Sequence, residues 1–285
     1  MSHQTIIVLD FGSQYTQLIA RRLRELSIYS EIWPPGTPVD RIRARRPAGV
    51  ILSGGPKSVS DAGAPTCDPA LFDVGTPVLG ICYGMQLMAQ SLGGRVEPAP
   101  QREYGHATVH VSRAGPSGPA SSIKDGGAAA ATAVANAAAL FIDVPSEIRV
   151  WASHGDLVAA APDGFAVVAT SANAPIAAMS SPDRGLYAIL FHPEVVHTER
   201  GLDILRNFAY GICGCTGDWT MASFVQDATA KIRAQVGDGR VVCALSGGVD
   251  STVAALIIHR AVGEKLTCIF VDNGVLRLNE AAQVR

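Results

Sequence analysis

No apolar run in this 285-residue chain reaches the ~18 residues needed to cross a bilayer. Charge of one sign is missing too: 23 Lys and Arg face 25 Asp and Glu, for a formal net charge of −2. That balance gives no electrostatic case for a nucleic-acid or anionic-membrane partner. The opening residues, Met1 to Thr5, lead into a strand without a basic n-region, so no secretory signal is expected. The six cysteines, at 67, 82, 213, 215, 243 and 268, are scattered and form no disulfide framework. Cys213-Gly214-Cys215 has no second pair and lacks the wider spacing of metal-binding cysteines; it reads as a helix end and linker. The expected setting is cytoplasmic, where a free thiol stays reduced.

Hydrophobic residues, at 48%, suffice for a packed core, and the length predicts two domains. Strands are predicted over 5–9, 28–32, 49–53 and 76–81, with helices over 14–26, 39–46 and 83–92. This alternation predicts an α/β fold, a parallel sheet with helices on both faces. Residues 107–112 alternate as an antiparallel strand does. Residues 113–138, rich in Ala, Gly, Ser and Pro, predict a mobile loop or poorly anchored helix. Further strands follow over 147–153, 165–170, 176–180 and 186–191, then a helix over 199–212. The expected boundaries are a first domain 1–212, a linker 213–219 and a second domain 220–285. The second domain has only a helix (220–236), strands 240–245 and 266–271, and a helix starting near Asp250. Sheets average about five to six strands, so an incomplete domain with an exposed apolar surface is expected.

The most informative segment is Val78-Leu79-Gly80-Ile81-Cys82-Tyr83-Gly84-Met85-Gln86. An apolar strand runs into a glycine-flanked cysteine, and a helix follows: a nucleophile elbow with sulfur in place of oxygen. A thiol at a helix N-terminus is favoured as thiolate. The competing reading, a buried cysteine acting as a small hydrophobe, explains neither the glycines nor the strand-to-helix position. His192 follows the strand at 186–191, so it falls at the same carboxyl edge as Cys82, and Glu194 is placed to orient its ring. His154, in Ser153-His154-Gly155-Asp156, is the rival base. Gln86 lies one turn beyond Cys82 on the same helix face and is expected to help hold a substrate.

A second motif is Ser246-Gly247-Gly248-Val249-Asp250-Ser251, between a strand and a helix. Small residues there let backbone N–H groups face an anion. The lysine of a Walker A loop is absent.

Gly54-Gly55-Pro56, the Cys82 elbow and His192-Pro193-Glu194 resemble the signatures of the class I (triad) glutamine amidotransferases. Ser153–Asp156, Arg102-Glu103-Tyr104-Gly105 and the opening Val8–Tyr15 resemble, more narrowly, the glutamine-hydrolysing half of the GMP synthase family. The Ser246–Ser251 loop is similar to the pyrophosphate loop of ATP pyrophosphatases. The resemblance implies a flavodoxin-like amidotransferase domain followed by an incomplete Rossmann-like ATP pyrophosphatase domain. It implies oxyanion donors at the Gly55 and Tyr83 backbone N–H and a glutamine clamp at Ser153, Gly155 and Asp156. Ser246, Gly247, Gly248, Val249, Asp250 and Ser251 would hold ATP, with Val271 and Asp272 on the next strand. The implied substrates are glutamine, ATP with Mg²⁺, and XMP, with no cofactor for glutamine hydrolysis. Homodimerisation is expected through a C-terminal region beyond residue 285. The alternatives are a glutaminase subunit serving a separate synthetase, a non-catalytic module, and a cysteine hydrolase on the same elbow. The Ser246–Ser251 loop does not fit the last.

Overall fold

The structure, a computed structural model, describes residues 3–112 and 137–271. The predicted loop at 113–138, apart from Ala137 and Ala138, and Asp272 lie outside the described residues. The chain divides into two compact units, Ser2–Asp218 and Trp219–Arg285.

The first unit is built on a nine-stranded sheet. Its strands are β1 (Thr5–Leu9), β2 (Tyr29–Trp33), β3 (Gly49–Leu52), β4 (Val78–Ile81), β5 (Arg95–Val111), β6 (Glu147–Ala160), β7 (Ala166–Ser171), β8 (Ala178–Ser181) and β9 (Leu186–Ile189). Their order is β2-β1-β3-β4-β9-β8-β7-β5-β6. The first five are parallel, and the rest are antiparallel. The short central strands β1, β3, β4 and β9 are buried along their whole length, as strands covered on both faces are.

Period-two alternation sends their side chains into two apolar layers. Ile6, Val8 and Ile51 join one layer with Ile19 and Leu23 of helix α1 (Thr16–Glu25) and Ile204 and Leu205 of α4 (Gly201–Arg206). Ile7, Leu9, Val50 and Leu52 join the other with Ile42 of α2 (Val39–Arg45) and Met85 and Met88 of α3 (Tyr83–Ser91). The sequence predicts one helix over 199–212; the structure has α4 followed by a wider π-helical turn over Asn207–Ile212. There the Asn207 side-chain amide donates to the carbonyls of Leu140 and Ile142.

The parallel strands put the loop after β1, Gly54-Gly55 after β3, Cys82 after β4 and His192 after β9 at one carboxyl edge. The chain passes from β1 to β2 on one side and then from β2 across to β3 on the other, so the edge between β1 and β3 is also a topological switch point. One expectation is corrected: the strand expected over 147–153 runs on to Ala160, so Ser153–Asp156 lies within the continuous β6, paired with an unexpectedly long β5. The pairing that extends β6 comes from Arg95–Tyr104, whose prolines and exposed polar residues hide a strand.

In the second unit, helix α5 (Met221–Val236) opens with a Thr220–Ser223 capping box. Strands β10 (Val241–Leu245) and β11 (Leu266–Phe270) pair in parallel, with α6 (Val249–Val262) between them in sequence. Val242 and Ile269 on these strands and Leu256 on α6 are exposed.

The elbow imposes the tightest packing. A Cβ on Gly84 would stand 2.5 Å from the Leu52 carbonyl oxygen, and one on Gly80 would stand 2.7 Å from the Gly84 backbone. Gly84→Ala should therefore cost about 2–3 kcal/mol, lowering the melting temperature by roughly 5–10 °C. An unchanged melt would contradict this packing.

Candidate active site

Cys82 caps α3 with φ 51° and ψ −105°, a left-handed geometry that non-glycine residues adopt at a cost of about 1–3 kcal/mol. Backbone bonds hold it there. The Cys82 N–H donates to the Ile189 carbonyl at 2.9 Å, tying the elbow to β9. The Gly84 N–H donates to Ser53 O, and those of Met85 and Gln86 return to Cys82 O. None of these bonds uses the Tyr83 N–H. The Cys82 thiol lies 3.6 Å from the Ser153 carbonyl.

His192 sits where β9 ends, its N–H donating to Trp151 O at 3.0 Å and its carbonyl accepting from the Thr198 hydroxyl. Its Nδ1 is 2.8 Å from Glu194 Oε1, with both side chains buried. The carboxylate accepts, so Nδ1 carries the proton and Nε2 is the other working nitrogen. Burial lowers the imidazole pKa, but hydrogen bonds to Cys82 and Glu194, together with their charges, outweigh it and raise the value to about 10. The Tyr15 ring meets the imidazole edge-on at 5.1 Å. Gly54 is compelled by His192: a Cβ would come within 2.9 Å of its Cε1.

Two clefts share Cys82. The larger, of about 770 Å³, is lined by Gly55, Gln86, Arg102, Ser153 and Asp156 among others. The smaller, of about 360 Å³, lies between Gly12–Tyr15, Gly55 and His192. Gln86 reaches the first cleft, but its side-chain amide donates to the Asp156 carbonyl at 3.0 Å, so it also braces β6. Tyr83 lines neither cleft: its hydroxyl donates to Pro65 O, and burial pushes its pKa up to about 12. Arg102 and Tyr104 face Gly155, whose Cβ would be 3.8 Å from Arg102 Nε and from the Tyr104 hydroxyl. Arg102 and Glu103 were legible only through their shared motif, and the pairing of Glu103 with His154 was missed. His154 thus has a carboxylate partner as His192 does, but Cys82 acts on His192 alone of the two.

In the second unit the Ser246–Ser251 loop closes on itself. Gly247 has φ 82°, Ser246 Oγ meets Ser251 Oγ at 3.1 Å, and Gly248 begins α6. The first-turn N–H groups of a helix have no intrahelical acceptors, so this concave turn fits a phosphate. Val271 follows β11 and is exposed. Among the described residues no group of His, Cys, Asp and Glu side chains could hold a metal ion. Cys213 packs against Gly49 and Cys215 is buried.

Comparison with known families gives the class to which this fold belongs. The family described as glutamine amidotransferase class-I matches residues 7–212; the chain belongs to that family. A second family, described as tRNA methyl transferase HUP domain, matches residues 239–283. Among curated relatives, a Geobacillus kaustophilus protein named glutamine-hydrolysing GMP synthase is 52% identical over 284 residues, covering 100% of this chain and 51% of the relative. One of the same name from Syntrophomonas wolfei is 50% identical with the same coverage. The chain thus spans about half the length of the curated relatives it matches. A crystal structure from Thermoplasma acidophilum, described as that of a candidate GMP synthase subunit, superposes with TM-score 0.60 at 31% identity, covering 80% of this chain and 99% of its own.

The His192 shift carries a sign. Its folded pKa, about 10, lies above the ordinary 6.5, so the folded chain keeps a proton that the unfolded chain releases. The stabilisation is complete below about pH 6.5 and is lost as pH rises to about 10. Thermal melts should decline more steeply over that window in the wild type than in His192→Asn. Parallel slopes would contradict the paired imidazolium.

Proposed function

We propose that this chain is the glutamine-hydrolysing part of a GMP synthase and splits glutamine at Cys82. The observation that carries this reading is the Cys82 elbow beside a buried His192–Glu194 pair bonded at 2.8 Å. Cys82 attacks the side-chain amide carbon of glutamine. His192, already holding the thiol proton at Nε2, gives it to the departing ammonia, while Glu194 orients the ring. The oxyanion would be met by the Tyr83 and Gly55 N–H groups, each worth about 3–4 kcal/mol in the transition state. Water then releases glutamate from the γ-glutamyl thioester. Arg102 and Asp156, opposite charges in one cleft, suit the α-carboxylate and α-ammonium of a free amino acid.

The ammonia would go to a second site, where ATP adenylates XMP and ammonia displaces AMP to give GMP. Ser246, Gly247, Gly248, Asp250 and Ser251 fit the pyrophosphate of ATP, and Mg²⁺ would shield its charge. Val249 contributes backbone to that turn, and Asp272 is a candidate of the following segment. The relatives' names support this half of the reading; a cytoplasmic location and a homodimer are part of the proposal. A second reading is a glutaminase subunit serving a separate synthetase. The Thermoplasma likeness favours it, since 99% of that chain is covered; similarity over the whole of this chain, second unit included, to the longer relatives weighs against it.

Glutamate release from glutamine tests the central step. Cys82→Ala should lower it by about a thousandfold or more, with His192→Ala nearly as severe because the residues act as a unit. Glu194→Gln should retain measurable turnover. Substantial hydrolysis by Cys82→Ala would refute the assignment.

A further inference from the structure

One buried cluster beside the cleft has no part in this chemistry. The side chains of His154 and Glu103 are 2% and 10% exposed, with Nε2 and Oε2 3.1 Å apart. Asn173, in the turn between β7 and β8, donates its side-chain amide to the other Glu103 oxygen at 3.0 Å. Burial lowers the His154 pKa, against the pull of Glu103, so the neutral ring donates Nε2–H to a carboxylate. His154 Nδ1 is buried without a partner, a cost accepted where the other ring nitrogen is needed.

The location gives the cluster its meaning. Glu103 and His154 are directly paired across β5 and β6, and they are the first regular pair after an irregularity that begins at Pro98 and Asp156. Across it β5 spends five residues where β6 spends two, so Ala99–Arg102 forms an extended bulge. Pro98, Ala99 and Arg102 of this bulge line the larger cleft, and Tyr104 lines it beyond the pair. Opposite them stand Ser153, Gly155 and Asp156, on either side of His154 in β6. His154 borders this cleft as well, whereas Glu103, between Arg102 and Tyr104, does not; together the pair lines a separate small cavity with Val109, Val150, Leu190 and Phe191.

We propose that His154 is a positioning residue for glutamine: bridged to Glu103 and Asn173, it fixes the register at which the β5 bulge closes and so sets Arg102 against Ser153–Asp156. Its Nε2 is committed to Glu103, so its role is to hold the ribbon. This rests on the glutaminase reading and deepens it, because it makes the grip on the amino-acid end of glutamine separable from the reactivity of Cys82. Losing the bridge leaves a buried carboxylate short of a donor and frees the bulge to slip.

Two reagents separate the effects: a diazoketone analogue of glutamine, which must occupy the cleft to alkylate Cys82, and iodoacetamide, which needs only the thiol. In His154→Leu the analogue concentration for half-maximal inactivation should rise about tenfold, the worth of a hydrogen bond to a charged group. The iodoacetamide rate should stay within about twofold of wild type. His154→Gln, whose amide can still donate to Glu103, should recover most of the loss. Asn173→Ala, an exposed change that should not affect folding, should shift the analogue in the same direction by about threefold. If His154→Leu does not fold, as judged by its melt, the last two variants decide. Unchanged analogue affinity, an equal loss with iodoacetamide, or no recovery in His154→Gln would overturn the positioning role. A wild-type chain that the analogue does not inactivate saturably would overturn the glutaminase reading first, and this inference with it.

Discussion

Everything at the site depends on how closely α3 approaches the ends of β3 and β4. The contact is made without side chains: Gly84 lies against the Leu52 backbone and Gly80 against Gly84. That approach bends the chain at Cys82 into a left-handed conformation and lifts its sulfur to the carboxyl edge. The hydrogen bond from Cys82 N–H to Ile189 O then couples the elbow to β9, the strand that delivers His192. Cys82 and His192 are thus set by two adjacent, paired parallel strands rather than by loops.

The electrostatics follow from burial. A carboxylate with no solvent access, Glu194, is tolerable because the His192 imidazole meets one oxygen and the sulfur lies on the other side of the ring. One Glu194 oxygen stays unpaired, so the ring supplies most of the carboxylate's compensation. His154 lies in the same region with its own carboxylate, but its pKa moves the opposite way, partly through repulsion by His192. The site therefore concentrates its protonated imidazole beside Cys82 and keeps the second one neutral.

Much of this was legible in the sequence, and the reasons are local. β1 and β4 are short apolar runs bounded by turn residues, and the elbow's glycines mark a tight approach, so Cys82, His192 and Glu194 could be brought to one edge by parallel topology alone. The polar half of β5 was not legible. Pro98 and Pro100 argue against a strand, and the consecutive exposed residues at 97–98 and 100–102 break the alternation. With that strand unseen, β6 looked as if it ended at Ser153, and Glu103 had no visible partner 51 residues away. The helix at 199–212 was found, but its π-turn was not, because it is enforced by carbonyls of residues 140 and 142 rather than by its own periodicity.

The central claim is that the Cys82 sulfur becomes acylated by the side chain of glutamine. The most direct measurement is mass spectrometry of the acid-quenched chain after brief exposure to glutamine, with peptide mapping. A γ-glutamyl adduct confined to the peptide bearing Cys82, absent from Cys82→Ala, is the predicted result. Glutamate formation without any adduct on that peptide, or an adduct on another cysteine, would contradict it.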